Sequence, residues 1–451
     1  MIFPRKLAYS FGAVATALSY QAFSTYILFF YVDVMKLPVY LSAVGMIIYG
    51  IWNAINDPIA GYISDHTRTR WGRRIPYIAL GAIPFGIIYF LLWVPPFSDY
   101  SQAGLLFLYF VIFICLFDGF YTVTVINWAS LFPEMFPSLS ERSEVNAYRQ
   151  SFGMLGLILG IAAPPLIYGS IGWEWMGAIF GAIISISLLV ALLGSRENRI
   201  FSQEKQIPLW ASIKATFKNR SFLTFVFSNL FVQYTFTIIL ATIPFFAKYV
   251  LDVGPQQTTA VLAAAFLTAI PMLYLWRRLT VKFGAKRCFM AAMLLLAVFL
   301  IPLFFVKSFW LTLFASALIG IGLSGFILIA DVIISDVIDE DETKTGNRRE
   351  GMYFGVNAFI TRFAIGLEAF SMAIIFLTSR YNPYIFTQPE EFLTGLRILI
   401  AGLPIIALLL AFVIFWFYPL AGRRLKELKI RVAKIHAQKG VKSVGRGKGL
   451  Q

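Results

Sequence analysis

IPYIALGAIPFGIIYFLLWV, residues 75–94, runs for twenty residues without a charge, and MGAIFGAIISISLLVALLG, residues 176–194, repeats the pattern. A helix rises about 1.5 Å per residue, so either run crosses a hydrocarbon core roughly 30 Å thick. Similar segments recur along the whole chain, at about 7–32, 40–65, 75–96, 102–131, 146–169, 173–195, 221–250, 257–276, 287–306, 309–336, 350–378 and 394–420. The chain is 59% hydrophobic and 14% charged, where soluble domains carry roughly 25% charge, and no water-soluble core hides so much apolar surface. The first stretch is long, dotted with polar residues and free of an A-x-A-like cleavage site, so it reads as a retained span rather than a signal peptide. The expected fold is an all-α membrane protein of twelve transmembrane helices.

A formal net charge of +15 invites a nucleic-acid reading until the basic residues are placed along the chain. With twelve spans and both ends on one side, 31 of the 38 Lys and Arg fall in alternate connections and tails, against five on the opposite side. Arg149 and Arg362 are left inside spans. This is the positive-inside pattern, which predicts cytoplasmic termini and a multi-pass protein of the plasma (inner) membrane, and it leaves no nucleic-acid partner to explain. The connection 196–220 divides the spans six and six. The expected organisation is a bundle over 1–195, a linker over 196–220, a second bundle over 221–421 and a basic tail over 422–451. DHTRTRWGRR (65–74) after span 2 is echoed by RRLTVKFGAKR (277–287) after span 8, and SLFPE (130–134) after span 4 by SDVID (335–339) after span 10. Such echoes suggest two parallel six-span repeats of the major facilitator kind. In the tail, Leu425, Leu428, Val432 and Ile435 form an apolar stripe among lysines and arginines, the pattern of a juxtamembrane helix.

Ionisable side chains inside spans are rare and costly, which makes them default functional candidates. Here they are Asp57, Asp118, Arg149, Asp331, Arg362 and Glu368. Asp57 and Thr122 fall at similar depth, Asn53 and Asp118 one turn further in, and Arg362 within reach of either acid. Pro58 removes an N–H and frees the carbonyl of Ala54. With the Asn53 amide and the Thr122 hydroxyl, this gives Asp57 the hard oxygen neighbours that suit sodium. A proton on Asp57, or a purely structural Asp57–Arg362 pair, fits the same residues. Metal binding beyond a sodium at Asp57 is not expected, nor is a resident cofactor.

Cys115 and Cys288 sit in apolar runs and suggest neither a disulfide nor a metal site. His66 and His436 lie in a turn and in the tail, and there is no phosphate-binding glycine loop and no H-E-x-x-H. The chain therefore reads as no enzyme, and no catalytic residue is expected. The acidic run from Asp336 to Glu342 is expected to face the basic turns, with Arg73, Arg74, Asp336 and Asp339 as a gate. Aromatic residues such as Tyr26, Tyr31, Trp52, Tyr121, Trp128 and Tyr234 are expected to serve packing before recognition.

NAINDPIAG (53–61) leading into TRTRWGRRIPYI (67–78), with SDVIDEDE and NRREGMYFGVNAFITRFAIG (335–366), resembles the glycoside–pentoside–hexuronide:cation symporter family of the major facilitator superfamily, which includes melibiose permease. The resemblance implies alternating access by two six-helix bundles, with uptake of a sugar, glycoside or hexuronide driven by sodium or protons. It places Asp57 at the second carboxylate of the family's span 2 cation pair and Thr122 at its span 4 hydroxyl ligand. Arg149 matches the span 5 arginine, and Arg362 falls where the family has a span 11 lysine; with Asp118 these are the expected substrate or coupling residues. Asn53, Val125 and Ala17 stand where melibiose permease has aspartates, so a sodium-coupled lysolipid symporter of the lysophosphatidylcholine type remains the alternative. A non-transporting receptor or scaffold has no use for four intramembrane charges. The expected partners are a small-molecule substrate and membrane lipid, with the chain acting as a monomer.

Overall fold

The computed structural model describes residues 3–97, 102–136, 139–197, 216–345 and 350–447. They form helices almost throughout, as a chain in lipid must, because only a helix satisfies every backbone N–H and C=O within its own segment. In the first half these are α1 (Phe3–Ser10), α2 (Gly12–Leu28, continued by a π-helical turn Phe29–Val34), α3 (Val39–His66), α4 (Ile75–Leu92), α5 (Ala103–Met135), α6 (Leu139–Ala162), α7 (Pro164–Ile171) and α8 (Trp173–Gly194). The second half holds α9 (Arg220–Tyr249), α10 (Pro255–Phe283), α11 (Ala285–Phe305), α12 (Phe309–Thr345), α13 (Glu350–Thr378), α14 (Glu390–Arg397), a π-helical turn (Ile398–Gly402) and α15 (Leu403–Trp416). The tail forms α16 (Gly422–Gly447).

Among the described residues, eleven helices are long and apolar enough to cross a membrane. A bent pair, Glu144–Ala162 and Pro164–Ile171, meets at 42° and makes a twelfth span. The break falls at two successive prolines, where the helix loses backbone donors. The linker residues 198–215 lie outside the described residues, as do Arg348 and Arg349.

Within the first half, α2 packs on α6 and α4 on α8. The first seam is close enough that a Cβ at Gly156 or Gly160 would meet a backbone carbonyl of α2 at 2.7 Å. Small residues at such seams let membrane helices associate through van der Waals contact, since lipid supplies no hydrophobic drive between them. Between the halves, α3 packs on α13, α2 on α9, and α10 on α6 and α7. The end of the bundle that carries the described connections 67–74 and 277–287 is called here the basic end.

Candidate functional site

The interior polar site begins with two helices that run parallel in register. On α3, Asn53, Asn56 and Asp57 share one face by their three- and four-residue spacing; on α5, Asp118 and Thr122 do the same. The Asn53 amide donates to Asp118 Oδ1 at 2.6 Å, and Thr122 Oγ1 donates to Asp57 Oδ1 at 2.9 Å. Asn56 adds a second clamp, its amide donating to Asp118 Oδ2 and to the Asp118 carbonyl, each at 3.1 Å. All but Asp57 are buried, Asp118 at 2% exposure. From the second half, the Arg362 guanidinium on α13 forms an ion pair with Asp57 Oδ2.

Two carboxylates and one guanidinium therefore meet at mid-span, and both oxygens of Asp57 are engaged, one from each half of the protein. Asn53 presents its amide nitrogen to Asp118, which differs from the expectation of an amide oxygen turned toward Asp57. A carboxylate accepts and an amide nitrogen donates, so Asp118 decides which end of the Asn53 side chain faces it. The expected freed carbonyl at Ala54 depends on Pro58, whose side chain lies outside the described residues; the helical backbone of α3 continues through it.

Beside this cluster, α3 and α13 part to form a cleft of about 330 Å³. Its polar lining is Asn53, Arg362 and Tyr49, and the rest is apolar, including Ile47, Ile51, Phe359, Phe363 and Phe370. The Tyr49 hydroxyl is buried without a hydrogen-bond partner. Across from it, the rings of Tyr20 and Tyr121 pack at 5.8 Å.

Arg149 is not brought into this cluster. Its guanidinium lies over the rings of Trp128 and Phe132, at 4.6 and 4.7 Å from their centroids, and its Nε is buried without a partner. The shelf beneath it is fixed by reciprocal bonds: Trp128 Nε1 donates to the Tyr9 carbonyl at 3.0 Å, and the Tyr9 hydroxyl to the Trp128 carbonyl at 2.9 Å. Trp128 follows Thr122 by six residues, so the shelf lies roughly 9 Å nearer the basic end.

At the basic end, the described contacts of the four expected gate residues run to Glu197, Ser130 and the tail and do not join the four to one another. The Arg73 side chain pairs with Glu197 at 3.4 Å, the backbone N–H groups of Arg73 and Arg74 donate to the same carboxylate, and Arg74 Nη1 donates to the Ser130 carbonyl. Asp336 and Asp339 are both held by Lys429 of α16, at 2.5 and 2.9 Å, while Arg424 reaches Glu340 at 3.3 Å. Leu428 and Val432 of the tail stripe are buried, so α16 docks on α12.

The opposite end is tied shut across the halves. Asp33, 1% exposed at the end of the first span, accepts from Lys248 at 2.5 Å, from the Tyr381 hydroxyl at 2.7 Å and from the Tyr249 hydroxyl. Lys36 donates to the Pro383 carbonyl. Sequence reasoning missed this cluster and Asn56. The signals were present: Asn56 shares the face of Asn53, and Asp33 is an acid beside one of only five basic residues counted on that side.

Residues 8–422 match the family described as MFS/sugar transport protein. An uncharacterised symporter of Synechocystis is 27% identical, the match covering 93% of this chain and 94% of that protein. The sodium-dependent lysophosphatidylcholine symporter 1 of Mus musculus is 23% identical over 94% of this chain and 87% of its own. The isoprimeverose transporter of Lactiplantibacillus pentosus is 30% identical over 50% of this chain and 48% of its own. Among solved structures, a D-xylose–proton symporter superposes with a TM-score of 0.66 at 14% identity, over 92% of this chain and 98% of that one. With nearly the whole chain inside the family match and two six-helix halves around a charged interior site, the chain belongs to the MFS/sugar transport protein family.

Proposed function

We propose that the chain is a cation-coupled symporter of a sugar or glycoside, seen in its inward-facing state, with Asp57 as the coupling carboxylate. The observation that carries this reading is the ion pair of Asp57 with Arg362, which links the two halves through one oxygen while Thr122 holds the other. Asp57, Asp118 and Arg362 leave one negative charge in excess when ionised, the charge a single sodium or proton would balance. The incoming cation takes the place of the guanidinium at Asp57, and Arg362, which stays charged throughout, is released to the cleft. Cation binding then changes how the halves hold together, which is what coupling requires.

The basic end is the cytoplasmic end in this reading, as the charge bias requires, so both termini are cytoplasmic and the protein sits in the plasma (inner) membrane. The Asp33 cluster closes the external side. Arg73, Arg74, Asp336 and Asp339 exchange their present partners for one another when the cytoplasmic side shuts. Residues 1–195 and 221–421 rock as two bodies joined by the linker 196–220, with the basic tail 422–451 outside both, and the protein works as a monomer. The names of the relatives support both a sugar and sodium coupling. A lysolipid is the second reading, favoured by one observation: the α3–α13 cleft is mostly apolar, with Asn53 and Arg362 as its polar end.

The test is counterflow in proteoliposomes with mono- and disaccharides, hexuronides and lysophosphatidylcholine, with and without sodium. Asp57→Asn is expected to abolish ion-driven accumulation and spare exchange. Accumulation by that mutant would move coupling away from Asp57.

A further inference from the structure

Glu368 plays no part in the site above. It lies on α13 six residues beyond Arg362, roughly 9 Å further from the basic end. It is 2% exposed, and one carboxyl oxygen, Oε2, has no hydrogen-bond partner. Thr237 of α9 lies beside the carboxyl, its hydroxyl donating to the Tyr234 carbonyl at 3.2 Å. Tyr234 of α9, itself bonded to Ser371 at 2.8 Å, and Tyr20 of α2 are the titratable groups that feel its charge. Among the described residues no Lys or Arg lies within ion-pair distance: Arg362 is committed to Asp57, and Asp118 and Asp331 are acids. Glu368 is thus buried where helices of both halves converge, without a counter-charge.

An isolated carboxylate in such surroundings is far costlier than the neutral acid. A purely structural role would be met by glutamine, which has the same shape and no charge to bury. We propose that Glu368 is a proton-binding site, occupied while the external side is closed over it and emptied to external water when that side opens. The O–H bond breaks toward water on opening and re-forms on closure, with no other reactant. The site is separate from the cation site at Asp57. Only the coupling to closure rests on the alternating-access reading; the proton binding does not.

The binding half is tested by infrared spectroscopy of the full chain in nanodiscs at neutral pH. A protonated-carboxyl C=O band is expected in the wild type and in Asp57→Asn, absent from Glu368→Gln and shifted in Thr237→Val, which keeps the acid should the glutamine variant misfold. An undiminished, unshifted band in both Glu368→Gln and Thr237→Val overturns the site. The coupling half uses Met46→Cys, in a background lacking Cys115 and Cys288. Met46 is 4% exposed in the seam where α2 and α3 meet α9 and α13. Its labelling by an impermeant maleimide from outside, divided by the rate for a freely exposed cysteine at the same pH to remove the thiolate's own dependence, should quicken as pH rises by at most about tenfold per pH unit for one proton, and this corrected rate should be flat in Glu368→Gln. Equal pH dependence in both proteins overturns the coupling. Failure of Asp57→Asn to lose accumulation sinks the cation reading and leaves the infrared band untouched, so the two fail separately.

Discussion

Asn53 and Asp118 are joined by a hydrogen bond at 2.6 Å, one turn from the bond that joins Asp57 to Thr122, and the two bonds link residues with the same sequence separation. The amide spares Asp118 a second carboxylate at contact distance and leaves one acid fewer in the span 2 pair than melibiose permease has. Neutral donors offset the dehydration of a cation less strongly than charged ones, so in the proposed reading the amide at Asn53 weakens the cation site.

Asn53→Asp should therefore make the protein depend on sodium. Without it, two carboxylates face each other in place of a charge-assisted bond worth roughly 1.5–3 kcal/mol, and the melting temperature should fall; added sodium should restore it more than in the wild type. A melting temperature indifferent to sodium in this variant would place the cation elsewhere.

Removing Arg362 strands Asp57. Arg362→Ala should destabilise the conformation that holds this pair by about 3 kcal/mol, because breaking a largely buried pair leaves an uncompensated charge, while Arg362→Lys should recover part of the loss. Thermal unfolding of both variants in cation-free buffer checks this, and the deficit of the alanine variant should shrink as sodium is added.

The Asp33 cluster is expected to hold the external side closed. Asp33→Asn exchanges charged bonds to Lys248 and the two tyrosines for neutral ones, a loss of roughly 1–2 kcal/mol, so outside labelling of Met46→Cys should rise about tenfold. Labelling at the wild-type rate would make the cluster incidental to closure.

The tail should dock through its charges. Burial opposes the charge on Lys429, yet hydrogen bonds to Asp336 and Asp339 outweigh it and hold the ammonium above the usual lysine range. A group raised on docking contributes below its ordinary range and loses that contribution as pH climbs past the raised one, so α16 should stay docked at neutral pH and loosen only in strongly alkaline buffer. Lys429→Glu should expose residues 423–435 to limited proteolysis at neutral pH, and cleavage no faster than in the wild type would assign docking to Leu428 and Val432 alone.

Sidedness is checked by single cysteines at Ser202 and Ser101, which should label from opposite sides of the membrane. Labelling of both from outside would overturn the assignment of the basic end to the cytoplasm.

Much of this was legible because a lipid environment narrows what a sequence can do. An apolar run of twenty residues has one fold open to it, so the spans could be placed from residues such as those of 75–94 and 176–194. Depth was legible as well, since rise per residue sets Asp57 level with Thr122. What escaped were facts of rotation and partnership. No spacing rule says that Asn53 turns its nitrogen outward, because Asp118 decides that from another helix. The acidic run 336–342 announced a basic partner, but basic connections and basic tail carry the same charge, and only packing shows that Lys429 and Arg424 arrive in this state. Arg149 was expected among the substrate or coupling residues from its charge inside a span and its match to the family's span 5 arginine, whereas the rings of Trp128 and Phe132 give it a seat apart from Asp57.

The first span ends in a π-helical turn, Phe29–Val34, that contains Asp33. Such a turn accommodates one residue more than an α-helix would, which offsets the azimuth of everything after it by about 100°. The surplus residue works as a phase shifter: it lets a helix whose earlier turns are keyed to α6 aim its final acid at Lys248. Deleting one residue between Phe29 and Val32 should reset that phase, swing the carboxylate away from its partners and leave the rest of the span in place, a lesion of timing rather than of stability.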